Sequence, residues 1–205
     1  MITAEGSKPD SPAVGQVRKR LTDLTEESYQ RSWQQTINHF DSPRYDSFTR
    51  TLDGFADLPP WTRASDTAAG HLFLPALRQE WTRMLSQGRG VQELRPGPER
   101  DRRLHALHRT AKRVKDVAEA QEAISGRKVK QLRKVAGALA ATLGEHHDVV
   151  LTGQLLNRVT PQLDEADGVI RQMRRREAAE ALELYDTFVK SFGEADRKPL
   201  RSCMS

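Results

Sequence analysis

At 205 residues, with 37% hydrophobic and 30% charged positions and a mean hydropathy of −0.70, the chain suits one domain with a large wet surface. Aromatic residues make up 6% and β-branched runs are scarce, which favours helices over sheets. The single cysteine, Cys203, excludes an internal disulfide framework and a multi-thiolate metal site. No apolar run nears the about 18 residues of a membrane span. The start, MITAEGSKPDSPAVG, holds no secretory apolar stretch, so a cytoplasmic protein with no membrane partner is expected.

The chain opens on a Ser-, Pro- and Gly-rich segment, residues 1–15, expected to be a disordered lead-in. A single helical domain over 16–195 and a flexible tail over 196–205 are expected to follow. From Gln16 to Phe40 the residues Leu21, Leu24, Tyr29, Trp33, Ile37 and Phe40 fall near helical spacing. In DSPRYDSF, Asp41 or Ser42 can cap a new helix and Pro43 suits its first turn. Leu58-Pro59-Pro60 should end it.

A third helix, Ala64 to Gln87, carries Leu72, Leu74, Leu77, Trp81 and Leu85, with Pro75 marking a kink or restart. GRGVQELRPGP, Gly88 to Pro98, reads as a linker. Helices are then expected over Glu99–Ser125, over Arg127–Leu143 with a stop at Gly144, over His147–Val159, and over Asp164–Phe192. The sum is an all-α fold, an antiparallel bundle of about seven helices. Trp33, Trp61 and Trp81 are read as core, with Arg78 and Arg83 at the rim around Trp81.

The net charge of +5 is unevenly spread. Between Arg100 and Lys134 there are 12 Lys or Arg against 4 Asp or Glu, and the remainder of the chain is slightly acidic. That asymmetry points to an anionic partner such as nucleic acid, polyphosphate or an acidic membrane. On a helical wheel, Leu104, Leu107, Ala111, Val114, Val117 and Ala118 form a core stripe. His105, His108, Arg109, Lys112 and Asp116 gather opposite, with Arg113 and Lys115 in the same basic run. On the next helix Leu132, Val135, Ala136, Leu139 and Leu143 form the apolar face. Arg127, Lys130 and Lys134 stack opposite, with Arg133 at the margin.

Two helices joined at Gly126 should lie antiparallel, merging both basic faces into one strip. Arginine forks and lysine point charges suit phosphate oxygens, and the histidines add charge below about pH 6.5. An ordinary solvated helix face is the competing reading, but such faces mix signs more evenly. Arg171, Arg174 and Arg175 on the last helix either extend the strip or are a solvated face.

LGEHHD, Leu143 to Asp148, is the one place resembling catalytic chemistry. A His147–Asp148 dyad, with His105 and His108 and the acids Asp164 and Asp167, is similar to the metal sites of phosphohydrolases named for that dyad. The neighbouring Lys and Arg oppose a bound cation, so the plainer reading makes Asp148 a helix cap. No supported nucleophile and no phosphate-binding glycine loop is present, so no catalytic residue, resident metal or cofactor is assigned.

HALHRTAKRVK, His105 to Lys115, followed by a second basic helix and by LGEHHDVV, Leu143 to Val150, resembles the CHAD family, the conserved-histidine α-helical domain. DSPRY, LPALRQEW and RRREAAEA fall where that family has similar segments, extending the resemblance over about residues 20–195. It implies a fold of helical hairpins and a non-enzymatic module whose basic surface binds inorganic polyphosphate, sometimes at polyphosphate granules. His105, Lys112, Arg113 and Lys115 match the family's basic motif. His108 stands where that motif has arginine, Arg109 where it is hydrophobic, and Asp116 where it has tyrosine.

The family's earlier basic helix has no counterpart here. That implies a short member, a fragment, or a protomer that completes its bundle as a homodimer. The expected ligand is inorganic polyphosphate, or phosphate or sulfate ions, on His105, His108, Arg109, Lys112, Arg113, Lys115, Arg127, Lys130, Arg133, Lys134, Arg171, Arg174 and Arg175. Nucleic acid or nucleotide on the same strip is the alternative, and the metal phosphohydrolase a weaker one.

Overall fold

The computed structural model describes residues 12–125, 127–160 and 167–197, without the side chains of residues 64, 70, 123–125, 127–128, 159 and 167. Most of the expected lead-in, the hinge residue Gly126, the Arg127 side chain, the helix start at Asp164 and the tail from 198 lie outside the described residues. Among the described residues there are six α-helices and no strand. They are α1 (Pro12–Phe40), α2 (Pro43–Asp57), α3 (Ala69–Gln92), α4 (Pro98–Ser125), α5 (Arg127–Val159) and α6 (Asp167–Ala195), with a short 3-10 turn at Arg63–Asp66. The expected all-α bundle therefore holds, with six helices in place of about seven.

Local chemistry explains most boundaries. The Ser42 hydroxyl accepts a hydrogen bond from the Tyr45 backbone N–H at 3.3 Å, satisfying one orphan donor at the start of α2, and Pro43 follows in the first turn. Leu58 leaves helical geometry ahead of Pro59, whose ring clashes with an α-conformation before it. Gly97 turns with a φ of 149°, open essentially to glycine alone, and Pro98 then opens α4 with Glu99 and Asp101 in its first turn.

Two expected breaks are absent. α3 runs through Pro75 and on to Gln92, so Gly88 to Gln92 is helix and no linker. A Cβ on Gly88 would overlap the Phe192 ring of α6. α5 also runs unbroken through Gly144, which removes the expected stop there and the capping role of Asp148, an exposed mid-helix residue. Both glycines are places where another side chain sits against the helix backbone.

The chain packs as two compact units. Residues 67–155 and 174–205 form one, and its core takes Leu77, Trp81 and Met84 from α3, Leu104, Leu107, Ala111 and Val114 from α4, Leu132, Ala136, Leu139 and Leu143 from α5, and Phe188 and Phe192 from α6. The expected stripes of α4 and α5 are thus the buried ones. Each large apolar side chain contributes about 1.5–3 kcal/mol by leaving water. Trp81 is 2% exposed, with Arg78 and Arg83 at the surface around it as anticipated. Arg89 of α3 makes two hydrogen bonds to Asp196, at 2.6 and 3.1 Å, which hold its guanidinium pKa above the usual value.

Residues 1–66 and 156–173 form the other unit. Its small core is Val17, Leu156 and Ile170, flanked by Leu21, Leu24 and Met173. No residue of α2 is buried. Trp33 and Trp61, expected in the core, are 53% and 78% exposed. Periodicity marks one face of a helix as apolar, but another element must be present to cover it.

The glycine contacts yield a paired prediction. Gly88→Ala should cost about 1–3 kcal/mol, since the core must move to admit a methyl group against Phe192. Gly90→Ala, whose Cβ meets nothing, should gain about 0.5–1 kcal/mol through better helix propensity. Urea titration of both variants checks this, with midpoints moving in opposite directions.

Candidate anion-binding site on α4 and α5

The expected antiparallel pairing of α4 with α5 is present, and four contacts define its register. His105 faces His147, His108 faces Gly144, Lys115 lies over Gly137, and Glu122 meets Lys130. Stepping forward along α4 moves each contact backward along α5 by the same interval. Gly144 is the tightest point, because a Cβ there would fall 2.9 Å from His108 Cε1. Glycine lets the imidazole rest on the backbone of α5.

This contact gathers three histidines. The rings of His105 and His147 lie 3.8 Å apart between centroids, and those of His105 and His108 stack at 6.2 Å. The Nδ1 atoms of His105 and His108 are buried without a hydrogen-bond partner. Burial pushes the His105 pKa down, helped by His147, Arg109 and His108. Burial also pushes His108 down, with Lys112 adding to it, while the Ala140 backbone and Asp148 pull upward. His146, beside this cluster in sequence, points into the core at 3% exposure and is likewise held low by burial.

The sequence flagged the doublet His146-His147 without showing which ring faces α4. One turn of spacing decides it, since His147 follows Gly144 by three residues on the α4 side. Among the described residues no group of three or more His, Cys, Asp or Glu is placed to hold a metal ion. Two of the clustered rings lie against each other, and Arg109 and Lys112 oppose an added cation.

The basic residues divide by partner. Arg113 turns toward α3, where its Nε meets Glu80 Oε2 at 3.2 Å and its Nη2 donates to Thr110 Oγ1. On α5, Arg133 is bound to Glu122 at 2.6 Å, and Lys130 lies 3.8 Å from the same carboxylate. Lys115 approaches Glu119 at 3.9 Å. Arg109, Lys112 and Lys134 are exposed and, among the described residues, engage no ion pair. The open cations nearest the histidines are therefore Arg109 and Lys112, and Glu122 offsets charge toward the other end of the hairpin.

On α6, Arg174 and Arg175 are exposed and make no hydrogen bond or ion pair with the α4–α5 strip among the described residues, and Arg171 belongs to the other unit. Sequence reading missed the role of Glu80 and Glu122, since neither lies within one helical turn of the cation it binds.

The depressed histidines predict acid lability in the ligand-free protein. The unfolded chain protonates near about pH 6.5, and the folded rings resist until lower pH, so stability should fall as pH drops below that value. Thermal melts across this range should show falling midpoints. His146→Gln should flatten the slope, and an unchanged slope would assign the loss to other groups.

Comparison with known proteins closes on the same segments. A family model described as the CHAD domain matches residues 3–157, reaching from the start of the chain almost to the end of α5 and leaving α6 outside. No curated protein and no solved structure matches the chain. Among the described residues no helix is long and apolar enough to cross a membrane. The match takes in most of the chain, including both basic helices and their histidines, and the protein belongs to the CHAD domain family.

Proposed function

We propose that the α4–α5 face binds inorganic polyphosphate as a non-catalytic module. The family is generally associated with polyphosphate binding and with binding in place of catalysis. The observation that carries the reading is the pairing of exposed Arg109 and Lys112, without an ion pair among the described residues, with a three-histidine cluster on one hairpin face. A phosphate chain supplies the anionic oxygens these donors lack, and each charge-assisted hydrogen bond contributes about 1.5–3 kcal/mol. Lys134, Lys115, Lys130 and Arg133 extend the basic run along the hairpin, the last three at the cost of loosening their present carboxylate contacts. Arg113, committed to Glu80, is assigned a structural role in addition to its place in the basic motif. Arg174 and Arg175 are retained as outlying contacts for a long chain. This reading implies residence where long phosphate chains accumulate, such as polyphosphate granules.

Nucleic acid is the weaker occupant of this face, because α4 and α5 carry no Phe, Tyr or Trp on which a base could stack. A homodimer is a further part of the proposal, supported by the exposed aromatic residues Tyr29, Trp33, Phe48 and Phe55 on α1 and α2. Large exposed apolar surface of this kind commonly marks a protein contact.

Calorimetric titration with long-chain polyphosphate should give binding that weakens steeply with salt. Arg109→Ala/Lys112→Ala should weaken it about tenfold or more and lower the salt slope by about two. Arg113→Ala should lower stability more than affinity. Unchanged affinity in the double variant would remove the site assignment, and preference for DNA at matched phosphate concentration would favour the other polyanion. Sedimentation equilibrium tests the dimer, with Trp33→Ser/Phe48→Ser expected to shift the mass toward one chain.

A further inference from the structure

We propose that His105 and His108, crowded against His147, take up protons from solvent as a phosphate chain docks, so that acidity gates the affinity of this face. The inference rests on the proposed polyphosphate reading and adds regulation to it.

The geometry sets the cluster against itself in the free protein. Three imidazoles share one corner of the hairpin, two of them only 3.8 Å apart between centroids. Charging all three would place like charges in contact, in a corner that already holds Arg109 and Lys112 from α4. From α5 the groups acting on it are Asp148, the Ala140 backbone and the buried His146, which itself lies among the charges of Arg100 and Asp101. Among the described residues Asp148 is the one carboxylate acting on His108, and it cannot offset several new positive charges.

The unpartnered Nδ1 of His105 pushes the same way. An imidazolium needs acceptors for two N–H groups, and the buried Nδ1 of His105 has none, while His108 has the Ala140 backbone close by. The two rings are therefore held near neutrality by crowding and, at His105, by a missing acceptor. A docked polyphosphate relieves the crowding, since its negative charge offsets the like charges gathered in this corner. Each proton moves from water or buffer onto a ring nitrogen, and no covalent bond to the ligand forms. In a neutral medium the face works with Arg109 and Lys112. In an acidic one it gains further cations at its centre.

The direction of the effect follows from linkage. A group that binds protons more tightly in the complex than in the free protein makes binding stronger as pH falls, by about tenfold per pH unit for each proton taken up. The experiment is calorimetry of the full chain with long-chain inorganic polyphosphate, repeated in buffers of different ionisation enthalpy. The internal phosphates of a long chain stay ionised in this range, so counted protons belong to the protein. We expect about one or more protons taken up per site near neutral pH, and an affinity rising about tenfold or more between about pH 8 and about pH 6. His105→Gln and His108→Gln should each lower the proton count.

Binding without proton uptake and with flat affinity across that range would overturn the gating and leave the polyphosphate reading intact. Proton uptake unchanged in both histidine variants would overturn the assignment to this cluster. Absence of binding at every pH would overturn the function itself, and the gating with it. The wild-type proton count needs no variant, so the test stands if a substitution unfolds the chain.

Discussion

The contact of His108 with the backbone of α5 at Gly144 governs the rest of the site. A Cβ at that position would approach the imidazole to 2.9 Å, closer than packed atoms tolerate, so glycine is what lets the two helices meet there. Once they do, antiparallel geometry places His147 beside His105, and three rings from two helices share one corner. Lys115 over Gly137 repeats the device one step along, with the lysine stem covering a bare stretch of backbone. The face is thus assembled by the absence of side chains on one helix as much as by the charges on the other.

Charge on this surface is sorted by its partners. Glu80 draws Arg113 toward α3, and Glu122 draws Arg133 and Lys130 together at the far end of the hairpin. Exposed pairs of this kind contribute little to stability, about 0–1 kcal/mol each. Their larger consequence is spatial, since they leave Arg109 and Lys112 as the uncompensated charges beside the histidines. Burial and crowding hold the His105 and His108 pKa values down there, which ties the electrostatics of the site to the pH of its surroundings.

The other unit is built differently. Its core is small, and α1 and α2 expose a row of aromatic residues joined by edge contacts such as Phe40 on Tyr45 at 4.8 Å. An amphipathic helix with nothing buried contributes little folding energy by itself, because helices of this length draw most of their stability from packing. Tyr29, Trp33, Phe40, Phe48, Leu52 and Phe55 on α1 and α2 all leave large apolar side chains exposed.

What the sequence determined by itself is local. Helical spacing identified the buried stripes of α4 and α5, Ser42 and Pro43 marked the start of α2, and the basic run with its histidines lies within the segment that matches the family. Each of these depends on residues within one or two turns, where backbone geometry leaves few alternatives. What only the tertiary structure decided depends on distant partners. Gly88 and Gly144 read as breakers because a missing side chain weakens an isolated helix, yet each is held in helix by the ring that packs against it. Trp33 and Trp61 read as core because they are apolar, yet no element of their unit covers them. Arg113 and Arg109 are equally basic in sequence, and only the position of Glu80 separates them. The same holds for His147, whose membership of the cluster follows from the register of α5 on α4. A residue's type sets what it can bind, and the packing of helices remote in sequence sets which of those partners it meets.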